Sequence, residues 1–396
     1  MKTLSSHAVS DALTGWRDRL LTNDRFQYWA MRLPGLRTIA RRRARSLFDL
    51  CAGFVYSQVL DACVRLDLLP VLAEGPQTAT VVAERIALPV EGARRLLEAA
   101  VSLDLVERRR GGRFGLGALG AAMLGNPAVL AMVRHHGLFY QDMRDPVALL
   151  RGEAGETALS RYWAYARSQA PDELAEPAVS DYSALMSASQ ALVADEILDA
   201  VPLGNARCLM DIGGGEGGFM AAVLGRYPKI RGIVFDLQSV ADRAADRLDA
   251  AGFEPRVRVA GGDFRVDPLP TESDVMTLVR VVHDHDDDTV RALLAAAHRA
   301  LPDSGLLIVA EPMADTPGAE PMGAAYFGFY LLAMGSGRPR SRATLTEMLR
   351  EAGFADVRMA KTRNPLLTQV LVARKAAPAS LAAVGAKVPQ AAGDCK

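Results

Sequence analysis

The stretch "CLMDIGGGEGGF" at residues 208–219 constrains the fold of this chain more than any other part of it. It has the pattern of a strand that runs into a glycine-rich turn and then a helix, and glycine permits both a sharp turn and the close approach of a ligand. The residues that follow repeat short apolar strands with helix or turn patterns between them: "GIVFDL", "VRVAGGDF", "DVMTLVRVVHD" and "GLLIVAEPM". Such alternation predicts an α/β fold with a mostly parallel sheet covered by helices.

The end of the sheet follows a different pattern. After a helix at "TLTEMLREAGF", the strand patterns "ADVRMAKT" and "LLTQVLVARK" follow each other closely. The connection between them is too short for a crossover helix, so they cannot be parallel neighbours. We expect an antiparallel hairpin that closes one edge of the sheet.

The first half of the chain predicts a separate helical domain. Apolar residues at helical spacing occupy most faces of residues 47–72. The segment from "TATVVAERIAL" to "RFGLGALG" indicates two helices and a hairpin around Gly111 and Gly112, which together form a winged helix. We predict a basic segment, a helical domain, an α/β domain and a flexible tail, with these bounds: 1–45, 46–180, 181–376 and 377–396.

Charge and cysteine content exclude several classes of protein. The 46 lysines and arginines balance 46 acidic residues, which gives no overall reason to expect nucleic acid as a partner. The four cysteines are far apart, which argues against a zinc ribbon or a disulfide scaffold and favours a cytoplasmic protein. No window offers ~20 uninterrupted apolar residues. Residues 47–72 have more apolar faces than one helix of a small domain buries, so we expect a homodimer.

Acidic residues at three successive strand ends indicate the ligand of the glycine turn. Asp211 ends the first strand, and a carboxylate there suits an ammonium group better than a pyrophosphate. Asp236 ends the second strand, where it can hold ribose hydroxyls. Asp263 and Phe264 follow the third strand and can meet an adenine ring. The set predicts S-adenosylmethionine, although the glycines also satisfy a dinucleotide pattern and each carboxylate could instead cap a helix.

The fourth strand carries two histidines in "RVVHDHDDD". His283 and His285 are two residues apart, which on an extended strand puts both on one face, as a metal site would need. No third histidine or cysteine is near them in sequence, so we predict no metal. We expect His283 to be a general base beyond the strand end, Glu311 to orient its ring, and Asp286 or Asp287 to cap the next helix.

These motifs, in this order, resemble the plant-type O-methyltransferases of the caffeate and flavonoid group and their bacterial relatives. The resemblance covers about residues 45–375 and implies a Rossmann-like methyltransferase domain, class I, preceded by a winged-helix domain that serves dimerisation. It implies that His283 is the catalytic base and that Glu311 supports it. Arg280 stands where the plant enzymes have a lysine near the cofactor, and "DYSALM" resembles a helix that lines the acceptor site, which makes Tyr182 and Met186 candidates. The cofactor-binding residues that we predict are Asp211, Gly213, Gly215, Asp236, Leu237, Asp263, Phe264 and Arg280.

The chain departs from the plant pattern at two positions near the base. His285 replaces a tryptophan, and Pro339 in "GRPRS" replaces a second glutamate. Glu311 would therefore act on His283 alone.

Three longer stretches resemble the enzymes of purple photosynthetic bacteria that methylate the tertiary hydroxyl at the end of a carotenoid: "RFQYWAMRLPGLRTIARRRARSLFDLCAGFVYSQVL", "MVRHHGLFYQDMRDPVALLRGE" and "AYFGFYLLAMGSGRPRS". The resemblance implies a hydrophobic acceptor. The arginines at 37–45 could then rest on an anionic membrane, inner or photosynthetic, with a solvated helix face as the alternative.

Other readings remain open at this point. The acceptor could be a phenol, a polyketide or a bacteriochlorophyll precursor. A NAD-dependent oxidoreductase is disfavoured by Asp211 and by the closing hairpin. A winged-helix DNA-binding protein would need a basic wing, which "ERRRGGRFG" offers, but the intact glycine turn and His283 disfavour it.

Overall fold

The computed structural model describes residues 6–163, residue 190 and residues 192–377 of the 396-residue chain. The chain divides into two compact units, Met1–Asn126 and Pro127–Lys396. Our predicted domain bounds remain a prediction, and the predicted acceptor residues Tyr182 and Met186 lie outside the described residues.

The first unit is helical with one small sheet. Its sheet has the order β1-β3-β2 and contains Gln77–Thr78 (β1), Val106–Arg109 (β2) and Arg113–Leu116 (β3). β2 and β3 pair antiparallel across Gly111 and Gly112, both with positive φ, so the predicted hairpin is confirmed. The helices are Ser6–Leu21, Asp24–Ala30, Pro34–Arg65, Leu68–Ala73, Ala79–Arg85, Val90–Ser102 and Ala118–Leu124.

The long helix Pro34–Arg65 buries only its last turns. Asp61, Cys63 and Val64 are its buried residues, and Cys63 joins the core of the winged-helix region. Leu50 and Phe54 remain 81% and 72% exposed. This leaves an apolar surface that a second chain would cover, as expected for a dimer.

Within the described residues, the helix Pro34–Arg65 is the one helix that is long and apolar enough to cross a membrane, a test that core helices of soluble proteins also pass.

The second unit contains the predicted sheet. Its order is β6-β5-β4-β7-β8-β10-β9, and all neighbours pair parallel except the two pairs that involve β10. The expected closing hairpin is therefore confirmed as β9 and β10. The strands are Cys208–Ile212 (β4), Arg231–Asp236 (β5), Val257–Gly261 (β6), Val275–Val279 (β7), Leu306–Glu311 (β8), Phe354–Ala360 (β9) and Gln369–Lys375 (β10).

Helices cover both faces of this sheet. Met210 and Ile212 of β4 pack into one core cluster, whereas Leu209 packs into the other, as alternation along a strand requires. The helices that precede the sheet are Pro127–Asp142, Pro146–Arg151, Ala158–Tyr162 and residues 192–200. Those that follow within it are Gly218–Arg226, Gln238–Ala250, Asp287–Ala300, Gly328–Met334 and Arg342–Glu351, with a π-helical segment at Pro321–Phe327.

The strand order reverses direction between β4 and β7. The chain moves outward from β4 to β5 and β6 and then returns to place β7 on the other side of β4. Ligands of open parallel sheets bind outside the carboxyl ends of the strands at such a switch point. The glycine turn follows β4 and His283 follows β7, so both lie at this place.

Candidate active site

The glycine turn after β4 is built from main-chain contacts. Gly213 has φ +65° and donates its N–H to the carbonyl oxygen of Phe235 over 2.8 Å. Gly215 has φ +55° and donates its N–H to Oδ2 of Asp236 over 2.7 Å. A Cβ atom on Gly213 would lie 2.8 Å from Cγ2 of Val281, whereas one on Gly215 would meet nothing within 4 Å. The turn thus packs closely against the chain that leads to His283 and has free space beside Gly215.

Asp236 connects the turn to the end of β5. Its Oδ2 accepts from Gly215 and its Oδ1 accepts the backbone N–H of Leu237 over 2.7 Å. A carboxylate at this strand end suits the hydroxyls of a ribose. Leu237 itself precedes the helix Gln238–Ala250 and is half-buried.

Asp211 lies underneath the turn and not beside it. Its side chain is 1% exposed and accepts a hydrogen bond from the hydroxyl of Thr277 on β7 over 2.6 Å. Burial raises the pKa of Asp211 to about 7, and the Thr277 hydrogen bond opposes part of that rise. An ammonium group nearby would favour its charged form. Whether Asp211 contacts a ligand or only supports the turn stays a prediction.

The adenine candidates follow β6. Burial alone would raise the pKa of Asp263, but hydrogen bonds from Arg265 outweigh it and hold that pKa below its usual value. The Arg265 guanidinium donates to both oxygens of Asp263: Nε donates to Oδ1 over 2.9 Å, and Nη2 donates to Oδ2 over 2.7 Å. The half-buried ring of Phe264 meets the edge of His285 with ring centroids 5.2 Å apart. Sequence reasoning missed Arg265, although its position two residues after Asp263 was visible.

Arg280 turns the chain at the end of β7. It has φ +59°, a conformation that non-glycine residues rarely adopt, and it donates its N–H to the carbonyl oxygen of Ala310 over 2.9 Å. Strained backbone of this kind is concentrated at functional sites. β7 therefore ends at Val279, before the two histidines that the sequence placed on this strand, and Val282–Asp284 form a 3₁₀ turn.

His283 stands on that turn with a carboxylate at each ring nitrogen. Nδ1 contacts Oε2 of Glu311, and Nε2 lies 3.2 Å from Oδ1 of Asp284. The His283 side chain is 12% exposed. Burial would lower the pKa of His283, but the charges of Asp284 and Glu311 outweigh it, so that pKa is raised. The structure therefore brings the two predicted catalytic residues together, and it adds Asp284, which sequence reasoning had left unassigned.

Glu311 is held at the end of β8 by the same loop that it orients. It is 2% exposed, and its Oε1 accepts the backbone N–H groups of Val281 and Val282 over 3.0 and 2.6 Å. Its Oε2 is the atom that faces His283. One carboxylate therefore fixes both the backbone before the histidine and the orientation of the ring.

Arg340 supports the histidine loop from behind. It is 4% exposed and donates to the carbonyl oxygens of Val282 and His285, over 2.7 and 2.8 Å, and to Oδ1 of Asp287. Gly337, in the same segment, lies so close that a Cβ there would be 2.1 Å from the carbonyl oxygen of His283. These contacts lie in "GRPRS", where the plant pattern has its second glutamate. The segment thus supports the base through its backbone.

His285 differs from His283 in its surroundings. Burial lowers the pKa of His285, with the charge of Asp284 opposing this and that of Arg265 adding to it.

The side chain of Asp286 accepts the backbone N–H of Thr289 over 2.8 Å, so the predicted cap of the helix Asp287–Ala300 is Asp286. Among the described residues no group of three or more His, Cys, Asp and Glu side chains could hold a metal ion.

An aromatic cluster adjoins the His283 ring. The centroid of the Phe327 ring lies 6.1 Å from that of the His283 ring and 5.1 Å from that of the Tyr326 ring. The hydroxyl of Tyr326 is 2.8 Å from Nε2 of His136 on the helix Pro127–Asp142. Tyr326 and Phe327 belong to the π-helical segment, a feature that often marks functional sites. These aromatic residues lie in the stretch "AYFGFYLLAMGSGRPRS" that carries the resemblance, whereas the sequence did not reveal their histidine partners.

Comparison with known proteins gives concordant matches. Family profiles match residues 140–355 as an O-methyltransferase domain and residues 48–126 as an O-methyltransferase dimerisation domain. The demethylspheroidene O-methyltransferase of Cereibacter sphaeroides is 44% identical over 358 residues, which cover 90% of this chain and 93% of the relative. That of Rhodobacter capsulatus is 42% identical over 359 residues, covering 90% and 88%. The crystal structure of human N-acetylserotonin methyltransferase in complex with SAM is 26% identical with a TM-score of 0.69, covering 85% of this chain and 98% of that one.

Proposed function

Because the chain belongs to the S-adenosylmethionine-dependent O-methyltransferase family, we propose that it methylates the tertiary hydroxyl of a carotenoid of the demethylspheroidene type, with His283 as the base. The observation that carries the acceptor is the 44% identity to an enzyme named for demethylspheroidene, over 90% of this chain. The observation that carries the base is the pair of His283 and Glu311 at the switch point of the sheet.

The residues around the glycine turn fit the cofactor. The open space beside Gly215 permits close approach, and the Asp236 carboxylate at the end of β5 suits ribose hydroxyls. Phe264 offers a ring for adenine, and Asp263 is kept charged by Arg265. S-adenosylmethionine, when bound, supplies a methyl group on a positively charged sulfur. The remaining proposed contacts are Asp211, Gly213, Leu237 and Arg280.

The role of His283 follows from its two ring nitrogens. If Nδ1 carries its proton toward Glu311, Nε2 has a lone pair that can accept the proton of an acceptor hydroxyl. In that neutral state Nε2 and the Asp284 carboxylate are both acceptors, so a hydroxyl that donates to Nε2 relieves an unfavourable contact. When the acceptor oxygen takes up the methyl group, the methyl–sulfur bond would break and leave S-adenosylhomocysteine, the hydroxyl proton would pass to Nε2, and the Glu311 charge would stabilise the resulting imidazolium.

A tertiary alcohol makes this base important. Its proton is much less acidic than that of a phenol and should leave only as the new carbon–oxygen bond forms. Placing the oxygen in line could supply ~7–11 kcal/mol of the barrier reduction, and a positioned base typically adds ~10²–10⁴-fold in rate. The aromatic residues Tyr326 and Phe327 next to His283 suit the apolar chain of such an acceptor.

We also propose how the enzyme assembles and where it meets its acceptor. The dimerisation profile at residues 48–126 and the exposed apolar side of the helix Pro34–Arg65 support a homodimer. A carotenoid is insoluble in water and dissolves in membranes. The enzyme would therefore act from the cytoplasm in peripheral contact with the inner or photosynthetic membrane.

The test of the acceptor is a direct assay. Purified enzyme is supplied with methyl-labelled S-adenosylmethionine and either a 1-hydroxycarotenoid or a phenol of comparable solubility in detergent. We expect label in a methyl ether at the carotenoid terminus, with Glu311→Gln at an intermediate rate between the wild type and a variant without the base. Preferential labelling of the phenol would overturn the acceptor and leave the proposed base to be tested on the new one.

A further inference from the structure

We propose that residues 6–45 form a surface that docks on an anionic lipid bilayer. This deepens the proposed membrane contact by naming the segment and the lipid charge. The reason for such docking rests on the proposed function, since a carotenoid acceptor lies in a membrane. The evidence for it is the charge and the exposure of the segment itself.

The segment concentrates positive charge in a chain that is neutral as a whole. Residues 6–45 contain nine arginines and three aspartates, which gives a net charge of +6, whereas the full chain has 46 basic and 46 acidic residues. Sequence reasoning noted the arginines at 37–45 but not the scale of this asymmetry. A charge asymmetry of this kind favours contact with an anionic surface.

The arginines at the start of the long helix are not neutralised locally. All of Arg37, Arg41, Arg42 and Arg43 are exposed, and within the part of the chain that the structure describes none forms an ion pair. Arg45 has a carboxylate partner, Asp49, but only at 3.9 Å. Each arginine near an anionic bilayer contributes about 1 kcal/mol of attraction.

The same segment exposes large apolar and aromatic side chains. Trp16 and Trp29, two of the three tryptophans in the chain, are 60% and 57% exposed. Arg32 stacks over the ring of Tyr28 with its guanidinium carbon 3.7 Å from the ring centroid. The other exposed large apolar residues of the segment are Leu13, Met31, Leu33, Leu36 and Ile39. Arginine with tryptophan and leucine is the composition of helices that lie in a bilayer interface.

Charge distinguishes this occupant from a second copy of the chain. Two segments of +6 would repel each other across an interface, and like charges in contact disfavour association. The dimerisation profile begins at residue 48, after the segment. Nucleic acid would satisfy the arginines but would leave the exposed leucines, isoleucine and methionine in water. A bilayer with anionic headgroups satisfies both sets of side chains.

The test is vesicle binding by the full chain, with no methyl acceptor present. Co-sedimentation is measured with vesicles of phosphatidylcholine alone and with added phosphatidylglycerol. We expect binding only to the anionic vesicles, weakening as salt rises. The triple variant Arg41→Ser, Arg42→Ser, Arg43→Ser should bind at least about 30-fold more weakly. A matched triple variant, Arg94→Ser, Arg95→Ser, Arg110→Ser, removes the same charge from exposed positions of the same unit and should bind as the wild type does.

Tryptophan fluorescence reports the apolar part of the proposal. Trp163 is buried at 4% exposure, so a blue shift with anionic vesicles would come from Trp16 and Trp29, and Trp16→Ser with Trp29→Ser should abolish it. Equal binding to neutral vesicles, equal weakening in the two triple variants, or a change in oligomeric state without vesicle binding would overturn the inference. Because no acceptor is present, none of these outcomes bears on the proposed methylation.

Discussion

The two halves of the active site are assembled differently. At the ends of β5 and β6, the proposed cofactor side uses contacts between nearby parts of the chain, such as Gly215 with Asp236, 21 residues apart, and Asp263 with Arg265, two residues apart. The buried Asp211 at the end of β4 reaches further, to Thr277, 66 residues away. At the ends of β7 and β8, the proposed acceptor side uses distant contacts. Arg340 supports Val282 from 58 residues away, and His136 meets Tyr326 across 190 residues.

This difference implies that the two halves can be damaged separately. A change at the glycine turn should weaken cofactor binding, and a change at His283 should slow the reaction of a cofactor that still binds. The halves touch at Gly213, which packs against Val281 two residues before the base, and at Phe264, which packs against His285 two residues after it. A Cβ on Gly215 meets nothing within 4 Å, so a substitution there tests the cofactor side alone.

Removal of the base should have the largest effect on turnover. His283→Ala and His283→Gln should each lose at least ~100-fold in the rate of methyl transfer, because both remove the imidazole that accepts the hydroxyl proton. The measurement is single-turnover transfer at saturating cofactor, together with calorimetric binding of S-adenosylhomocysteine, which should be nearly unchanged. If His283→Ala retains a near-normal rate, the base has been assigned wrongly and the two halves do not divide the work as proposed.

A change in the glycine turn should act on binding. Gly215→Val places a branched side chain at φ +55° and in the open space where a ligand would approach, so S-adenosylhomocysteine should bind at least about tenfold more weakly. Gly252→Val is the matched control, because Gly252 has φ +75°, has open space for a Cβ and follows the helix Gln238–Ala250. Equal weakening in both variants would mean that backbone strain, not the ligand seat, is responsible.

The same contrast explains what could be predicted from sequence. The strand rhythm, the glycine turn and the strand-end carboxylates are local patterns, so the sheet and its closing hairpin were predicted and are confirmed. Asp284 and Arg340 were missed because their roles depend on where distant segments meet. A buried arginine that bonds three loop positions has the same sequence signal as an exposed one. The pairing of Glu311 with His283 could be predicted because Glu311 ends β8 and His283 follows the end of β7, and these two strands are parallel neighbours.

The pH dependence of the reaction should report Asp284. A base must be neutral to accept a proton, and the pKa of His283 is raised, chiefly by Asp284 and Glu311 against the lowering effect of burial. The value of kcat/KM, which reports ionisations of the free enzyme, should therefore rise as the pH passes through the raised pKa of His283. Asp284→Asn removes one of the raising charges, lowers the pKa and should move the rising limb of kcat/KM to lower pH. Asp286→Asn is the control, since Asp286 caps a helix and has no contact with the His283 ring among the described residues, so its profile should stay in place. An unshifted limb in Asp284→Asn would show that Asp284 does not set the charge of the base.

The smallest effect is expected at the second histidine. His285 lies only two residues from the base, but its ring packs edge-on against Phe264 on the cofactor side, and burial lowers its pKa. It therefore belongs to the half of the site that binds and not to the half that removes the proton. His285→Ala should lower the single-turnover rate by less than about threefold, far below the loss typical of a positioned base, and its main effect should be weaker S-adenosylhomocysteine binding through the loosened Phe264 ring. His285→Phe keeps an edge for Phe264 without a titratable nitrogen and should restore that binding. A large rate loss in His285→Ala that His285→Phe does not restore would mean that His285 transfers the proton. In that case His285 would belong to the acceptor side, and the contact of His283 with Glu311 would not identify the base.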